Sequence, residues 1–316
     1  MSAMDKGLAF LFPGQGSQSK GMLADLAQQH SEVRLSFAEA SDVLGYDLWS
    51  LVQEGPEERL NSTEFTQPAM LAAGVAVWRV WCANSEVRPA LMAGHSLGEY
   101  TALVCADALA FDAGLRLVSE RARLMQQAVP AGVGAMAALL GLEDVQVLDV
   151  CRDASNATEV VTAANFNAPG QVVIAGNSAA VVRATEMAKT AGAKRAVILP
   201  VSVPSHCPLM QPAAETFRSV LENIAWQTPT TAVVHNVDVK VHSDINGMRH
   251  ALEQQLYGSV RWAETINYMA GQGIARFIEC GPGRVLAGLN KRIVVGAATE
   301  TIFDTISLAK AASLVS

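Results

Sequence analysis

The chain has 316 residues, 50% of them hydrophobic and 17% charged, with a formal net charge of −7. That is apolar material for one large core or two domains. No apolar run reaches the roughly 18 residues that span a bilayer, and an acidic chain lacks the basic footprint of a nonspecific nucleic-acid binder. The start of the chain breaks too early, at Pro13-Gly14, for a signal peptide. Five scattered cysteines without a Cys-x-x-Cys pair suit reduced, buried thiols rather than a disulfide frame or a zinc site. A cytoplasmic protein is expected, with no metal, no membrane and no nucleic acid among its partners.

Leu8 to Phe12 is a short apolar strand that breaks at Pro13-Gly14-Gln15-Gly16-Ser17-Gln18, ahead of a helix from about Met22. The loop is neither a P-loop, since Lys20 is flanked by Ser19 and Gly21, nor a dinucleotide fingerprint, whose third glycine would fall on Ser19. It is a tight turn whose amides point above the sheet. Asp47 to Glu86 reads as helical, with Pro68 to Ala83 apolar enough to be buried. Pro89 to Ala93 is then a strand leading into Gly94-His95-Ser96-Leu97-Gly98, a G-x-S-x-G nucleophile elbow that lifts the Ser96 hydroxyl on a strained strand-to-helix turn.

Leu97 to Leu109 is the helix leaving the elbow, and Asp112 to Val129 is the next. On the latter, Leu117, Leu124, Met125 and Ala128 share a stripe at 100° per residue, and Arg121 falls in the middle of it. An inward arginine needs an anion or a route to water, because an unpaired buried charge is too costly. Residues 134 to 203 then run strand 134–140, helix 143–154, strands 160–165 and 171–175, helix 179–191 and strand 195–203. This βαββαβ order is that of a ferredoxin-like unit. The expected division is a large α/β domain of residues 1–130 and 204–316 and a small inserted domain of residues 131–203. Helices at 212–225, 247–257 and 262–272 follow, with strands at 232–237 and 277–279. Gly281-Pro282-Gly283 opens a last helix, and beyond Ala297 only a weak amphipathic tail is expected.

A serine nucleophile needs a base. His30, His235, His242 and His250 sit in polar or loop-like settings and read as surface or structural. His95 adjoins Ser96, and neighbouring side chains of extended backbone point apart, so it braces the elbow. His206, in Val203-Pro204-Ser205-His206 just past the last strand of the small unit, stands where site residues commonly emerge from a sheet.

Five ordered segments now resemble one family. They are Phe12-Pro13-Gly14-Gln15-Gly16-Ser17-Gln18, Gly94-His95-Ser96-Leu97-Gly98-Glu99, Asn165-Phe166-Asn167-Ala168-Pro169-Gly170-Gln171, Val203-Pro204-Ser205-His206 and Glu279-Cys280-Gly281-Pro282-Gly283. Together, over about residues 7 to 293, they are similar to the malonyl-CoA:acyl carrier protein transacylases of bacterial type II fatty acid synthesis. The resemblance implies an α/β-hydrolase-like large domain with a ferredoxin-like insertion. It implies transfer of malonyl from malonyl-CoA to the phosphopantetheine thiol of acyl carrier protein through an ester on Ser96, with His206 as general base. It also implies a carbonyl oxygen at Gln255 that orients the imidazole, oxyanion amides at Gln15 and Leu97, and Arg121 as the binder of the malonyl carboxylate. Gln67 and Asn165 match further pocket positions. No cofactor is implied, and a monomer is expected.

Lys194-Arg195 and Arg284 with Lys291-Arg292 are the basic clusters on which an acidic carrier protein would dock. The chain departs from the family pattern at Pro208 and near Gln211. Two other readings keep the elbow. A serine esterase or thioesterase would carry an acid in triad order and has no need of Arg121. A malonyl transferase subunit of a malonate decarboxylase would differ in its acceptor.

Overall fold

The computed structural model describes residues 3–201 and 203–315. Its strands are β1 (Ala3–Phe12), β2 (Val87–Gly94), β3 (Gly134–Leu140), β4 (Val161–Ala168), β5 (Gln171–Asn177), β6 (Arg195–Ile198), β7 (Ala232–Val234), β8 (Arg276–Cys280) and β9 (Ala298–Ile302). They form two sheets, one ordered β7-β2-β1-β8-β9 and one ordered β4-β5-β3-β6.

Every neighbour pair of the first sheet is parallel. Parallel sheets need both faces covered, and β1 has the sequence for it. Leu8, Phe10 and Phe12 enter the core on one side, Ala9 and Leu11 the core on the other, and all five are fully buried. Helix Thr63–Asn84 covers the first side, where its Trp81 meets Phe10 edge-on at 5.2 Å. Trp262, Ile266 and Met269 of helix Trp262–Gly271 pack on the second.

The second sheet is antiparallel throughout. Its order is that of a ferredoxin-like unit, with helices Asp144–Ala154 and Ser178–Thr190 sharing a core with one face through Val147, Cys151, Val181 and Ala184. Met136, Ala164 and Ala175 form a separate cluster with Cys207, which follows the small sheet in the chain. The chain leaves for the small sheet and comes back from it at one seam. Gly134 lies so close to the Pro204 ring that an added Cβ would sit 2.3 Å from its Cγ.

Two expectations fail here. The strand expected over 195–203 ends at Ile198. Leu199 still donates its amide to Met136, but Pro200 has no N–H to continue the ladder, and the chain peels away. Ser202, in the same stretch, lies outside the described residues. The tail beyond Ala297 is also more than an amphipathic stretch. Residues 298–302 pair with β8 as the parallel strand β9, and Thr305–Leu314 is a helix capped by Asp304, which accepts from the Ser307 amide. With Thr299, Glu300 and Thr301 at its centre, β9 carries the polar composition of a strand that closes a sheet edge.

Candidate active site

β2 ends at Gly94 and the helix Leu97–Cys105 begins three residues later, so the turn between them must be sharp. Ser96 carries the strain, with φ 52° and ψ −107°. The turn is possible only because the backbones nearly touch: a Cβ on Gly98 would lie 2.0 Å from the Phe12 carbonyl oxygen, and one on Gly94 would lie 1.8 Å from the Gly98 carbonyl carbon. Asn236 locks the turn, since its Oδ1 accepts from the Ser96 amide at 2.7 Å and its Nδ2 donates to the Gly94 carbonyl. The amide of the serine itself is therefore committed.

His206, 110 residues on in sequence, sets Nε2 2.7 Å from Ser96 Oγ. Its Nδ1 is 2.6 Å from the Gln255 carbonyl oxygen, and its own amide donates to the Leu256 carbonyl. A carbonyl oxygen can only accept, so Nδ1 carries the ring proton and Nε2 presents a lone pair to the serine O–H. The residue is 3% exposed and also sits at a left-handed φ of 62°. Two strained residues facing each other across a cavity mark a place where function constrains the backbone.

Burial, and next the positive charge of Arg121, hold the His206 imidazole down to about 3. The ring therefore stays neutral, and able to accept a proton, far below the ordinary histidine range. Labelling of Ser96 by a fluorophosphonate should keep its rate from pH 8 to about pH 5; an inflection near the ordinary imidazole value of about 6.5 would count against this. The linkage has the same sign. Because the folded value lies below the unfolded one, the contribution of His206 to stability is full above about pH 6.5 and is lost as pH falls towards 3.

Arg121 lies on helix Phe111–Ala128 and is 2% exposed, as its place on the apolar stripe requires, while Arg116 and Arg123 face solvent. Its partners are all neutral. Nη1 donates to Gln67 Oε1 at 2.8 Å, and Nη2 to Gln255 Oε1 at 3.0 Å and to Ser96 Oγ at 3.2 Å. The guanidinium lies 5.2 Å from the centre of the Tyr100 ring, and its buried Nε has no hydrogen-bond partner among the described residues. A planar cation with unsaturated donors beside a nucleophile is suited to a carboxylate.

The loop after β1 closes the site from the other side. A Cβ on Gly14 would lie 2.3 Å from the His95 carbonyl oxygen and 3.7 Å from the Leu97 amide nitrogen, so the loop rests directly on the elbow. Gln15 anchors its side chain to Thr63 Oγ1 and lines the cavity together with Leu97. Leu97 is the first residue of its helix, where an amide has no acceptor within the helix and the dipole favours negative charge. The cavity, about 230 Å³, lies between the two sheets. Ser96, His206, Arg121, Gln67 and Asn165 line it, and Met136 and Val173 of the small sheet, with Leu199 just beyond its last strand, supply an apolar wall. Asn165 stands at an irregularity in the β4–β5 pairing.

Some placements differ from the sequence reading. His235, expected in a polar or loop-like setting, is fully buried, and its Nδ1 is 2.7 Å from Glu99. The apolar run of β7 carries it inside, and the Glu99 carboxylate gives it a partner. His95 reaches Asn167 Oδ1 of the small sheet at 2.8 Å, so its brace spans both sheets. Arg292, exposed, donates to Gln171 Oε1 and to the Pro169 carbonyl, clamping helix Val285–Ile293 to the small sheet. Arg284 lies over the Phe303 ring at 4.8 Å. Pro208 opens a short 3-10 turn, and Gln211 is exposed at the head of the following helix. Asn236, Glu99 and Asn167 were not singled out from sequence. Glu99 and Asn167 stand inside motif segments, whereas Asn236 signals itself only as a polar residue after a short apolar strand.

Residues 9–301 match the acyl transferase domain family. The chain belongs to that family. It is 55% identical to a malonyl CoA-acyl carrier protein transacylase of Haemophilus influenzae over 303 residues, which cover 96% of this chain and 97% of that protein. Among solved structures, an acyl carrier protein S-malonyltransferase of Vibrio cholerae superposes with a TM-score of 0.94 at 54% identity, covering 96% of this chain and 99% of that one. A malonyl-transacylase in complex with a holo type II polyketide synthase acyl carrier protein superposes with a TM-score of 0.96 at 54% identity, covering 97% and 99%. Within this acyl transferase family the elbow and the facing histidine belong to one continuous match. Among the described residues no group of three or more His, Cys, Asp or Glu could hold a metal ion, and no helix is long and apolar enough to cross a membrane.

Proposed function

We propose that the chain transfers malonyl from malonyl-CoA to the phosphopantetheine thiol of holo acyl carrier protein, through an ester on Ser96, and so supplies malonyl-carrier protein for fatty acid biosynthesis. The observation that carries this reading is Arg121, a buried guanidinium with neutral partners only, within hydrogen-bond reach of Ser96 Oγ. An acid acyl group fits such a site, and the relatives are named for malonyl transfer between coenzyme A and carrier protein.

In the first half-reaction Ser96 Oγ attacks the thioester carbonyl while His206 Nε2 takes its proton. The Gln255 carbonyl holds the imidazolium through Nδ1–H. The amides of Leu97 and Gln15 receive the developing oxyanion, a role worth about 2.7 to 4 kcal/mol per donor. Collapse breaks the C–S bond, and His206 returns the proton to the coenzyme A sulfur. In the second half-reaction His206 takes the proton of the carrier's thiol, the thiolate attacks the ester carbonyl, and Ser96 leaves with that proton. Arg121 holds the carboxylate throughout, with Gln67 buttressing it, and Asn165 lines the acyl pocket. Side chains and amides of this chain fill every role, so we infer no cofactor.

The experiment is to mix the protein with malonyl-CoA, take an intact mass, and then add holo carrier protein. A malonyl adduct that moves to the carrier is expected. Rapid loss to water would instead mean a serine esterase or thioesterase, and an adduct that ignores holo carrier protein would leave the malonate decarboxylase subunit. The hydrolase reading is also disfavoured because the partner of His206 Nδ1 is a main-chain carbonyl rather than a carboxylate.

We further propose two working units, residues 1–130 with 204–316 and residues 131–203, since each sheet has its own apolar cluster. All five cysteines are free, which suits the reducing cytoplasm, and we expect a monomer there. The partners of Arg292 and Arg284 are neutral and leave both charges uncompensated, so the docking charges are Lys194, Arg195, Arg284, Lys291 and Arg292, all exposed. Lys291→Glu should raise KM for carrier protein and leave KM for malonyl-CoA as it was; equal values for both proteins would remove this surface from consideration.

A further inference from the structure

Behind the elbow lies a carboxylate that no step above uses. Glu99, in the first turn of the helix that leaves Ser96, is fully buried. Its Oε1 pairs with His235 Nδ1 at 2.7 Å, and its Oε2 accepts from the Asn236 amide and from Gln255 Nε2, both at 2.9 Å. Asn236 holds the Ser96 amide, and Gln255 holds both Arg121, through Oε1, and His206, through its main-chain carbonyl. Nucleophile, base and guanidinium are thus each one residue away from the same carboxylate.

The Gln255 amide is what makes this specific. A guanidinium has no acceptor, so only Oε1 of Gln255 can face it, and a carboxylate has no donor, so only Nε2 can face Glu99. The side chain is held between a cation and an anion that do not themselves touch, and its Nε2 donates to the Ser96 carbonyl at 3.0 Å as well as to Glu99. A direct Arg–Glu pair would satisfy the arginine and leave nothing for a substrate. No anion at all would leave a buried charge uncompensated. One amide between them compensates the charge and keeps the donors of Arg121 open. If Glu99 lost its charge, an NH2 or OH in its place could donate to Gln255, and the amide could turn its own donors towards Arg121.

We propose that Glu99 is a positioning residue for acid recognition, fixing the Gln255 amide so that Arg121 is charge-compensated yet free to bind the acyl carboxylate. The proposal rests on the reading of Arg121 given above. Its test compares wild type, Glu99→Gln, Gln255→Met, which keeps the main-chain carbonyl, and the double variant. The readouts are kcat/KM for Ser96 adduct formation from malonyl-CoA and from acetyl-CoA, and fluorophosphonate labelling of Ser96.

Expected for Glu99→Gln is a fall of about tenfold or more in malonyl-over-acetyl discrimination, carried by a raised KM for malonyl-CoA, with labelling changed less than threefold. The double variant should discriminate no worse than the poorer single one, because both act through one amide. Unchanged discrimination in Glu99→Gln, or additive losses in the double variant, would overturn the proposal. Should Glu99→Gln not fold, Gln255→Met decides alone: unchanged discrimination there overturns it equally. A wild-type protein with no preference for malonyl-CoA would instead remove the role of Arg121 on which the proposal stands.

Discussion

Ser96→Ala is expected to form no adduct with malonyl-CoA and to lower transfer by about 10⁶-fold, the scale seen when a serine nucleophile is removed from a site whose groups act as a unit. The loss should be chemical. Alanine keeps the Cβ, so the left-handed turn at φ 52° is no more strained than before, and the Asn236 clamp on the backbone of residue 96 is untouched. What disappears is the oxygen that His206 and Arg121 both address. Intact mass after incubation with malonyl-CoA, together with a thermal midpoint, separates the two effects. An adduct of unchanged yield in a folded variant would place the nucleophile elsewhere.

Arg121→Ala should cost about 10³-fold in kcat/KM for malonyl-CoA, the equivalent of about 4 kcal/mol for the loss of a buried, hydrogen-bonded charge partner. For acetyl-CoA, which has no carboxylate to lose, the fall should be less than tenfold, so the preference for malonyl collapses. A second effect runs the other way. The Arg121 charge helps to hold the His206 imidazole low, and its removal should move the acid limb of the pH profile up towards the ordinary imidazole value. Measuring both substrates across pH separates recognition from basicity. An undiminished preference for malonyl would mean that the carboxylate is bound by another group.

The parts of this structure that sequence discloses are those in which a local pattern has one physical solution. The alternation of β1, the glycines of the elbow and the arginine on an apolar stripe each constrain a segment without reference to the rest of the chain. What escapes is set by contacts between distant residues. β9 is five residues with a polar centre, and it becomes a strand only because β8 offers an edge. Asn236 is an ordinary loop residue until the fold carries it to the Ser96 amide, 140 residues away. The end of β6 at Ile198 was local, written in Pro200, and the apolar residues after it masked the signal. The contacts of Arg292 are equally hidden, because nothing near it in sequence announces Pro169 or Gln171.

The contact of Gly134 with the Pro204 ring ties the small sheet to the chemistry in a mechanical sense. His206 follows two residues after that proline, so the distance from base to nucleophile is measured from the seam rather than from the length of chain looped out between its two sides. Loops within residues 135–203 can therefore lengthen or shorten without disturbing the hydrogen bond between Ser96 and His206, provided the seam stays shut. A bulkier residue at 134 would act as a wedge at the pivot, and its displacement would load the hydrogen bonds from His206 to Gln255 and Leu256 that hold the imidazole in place.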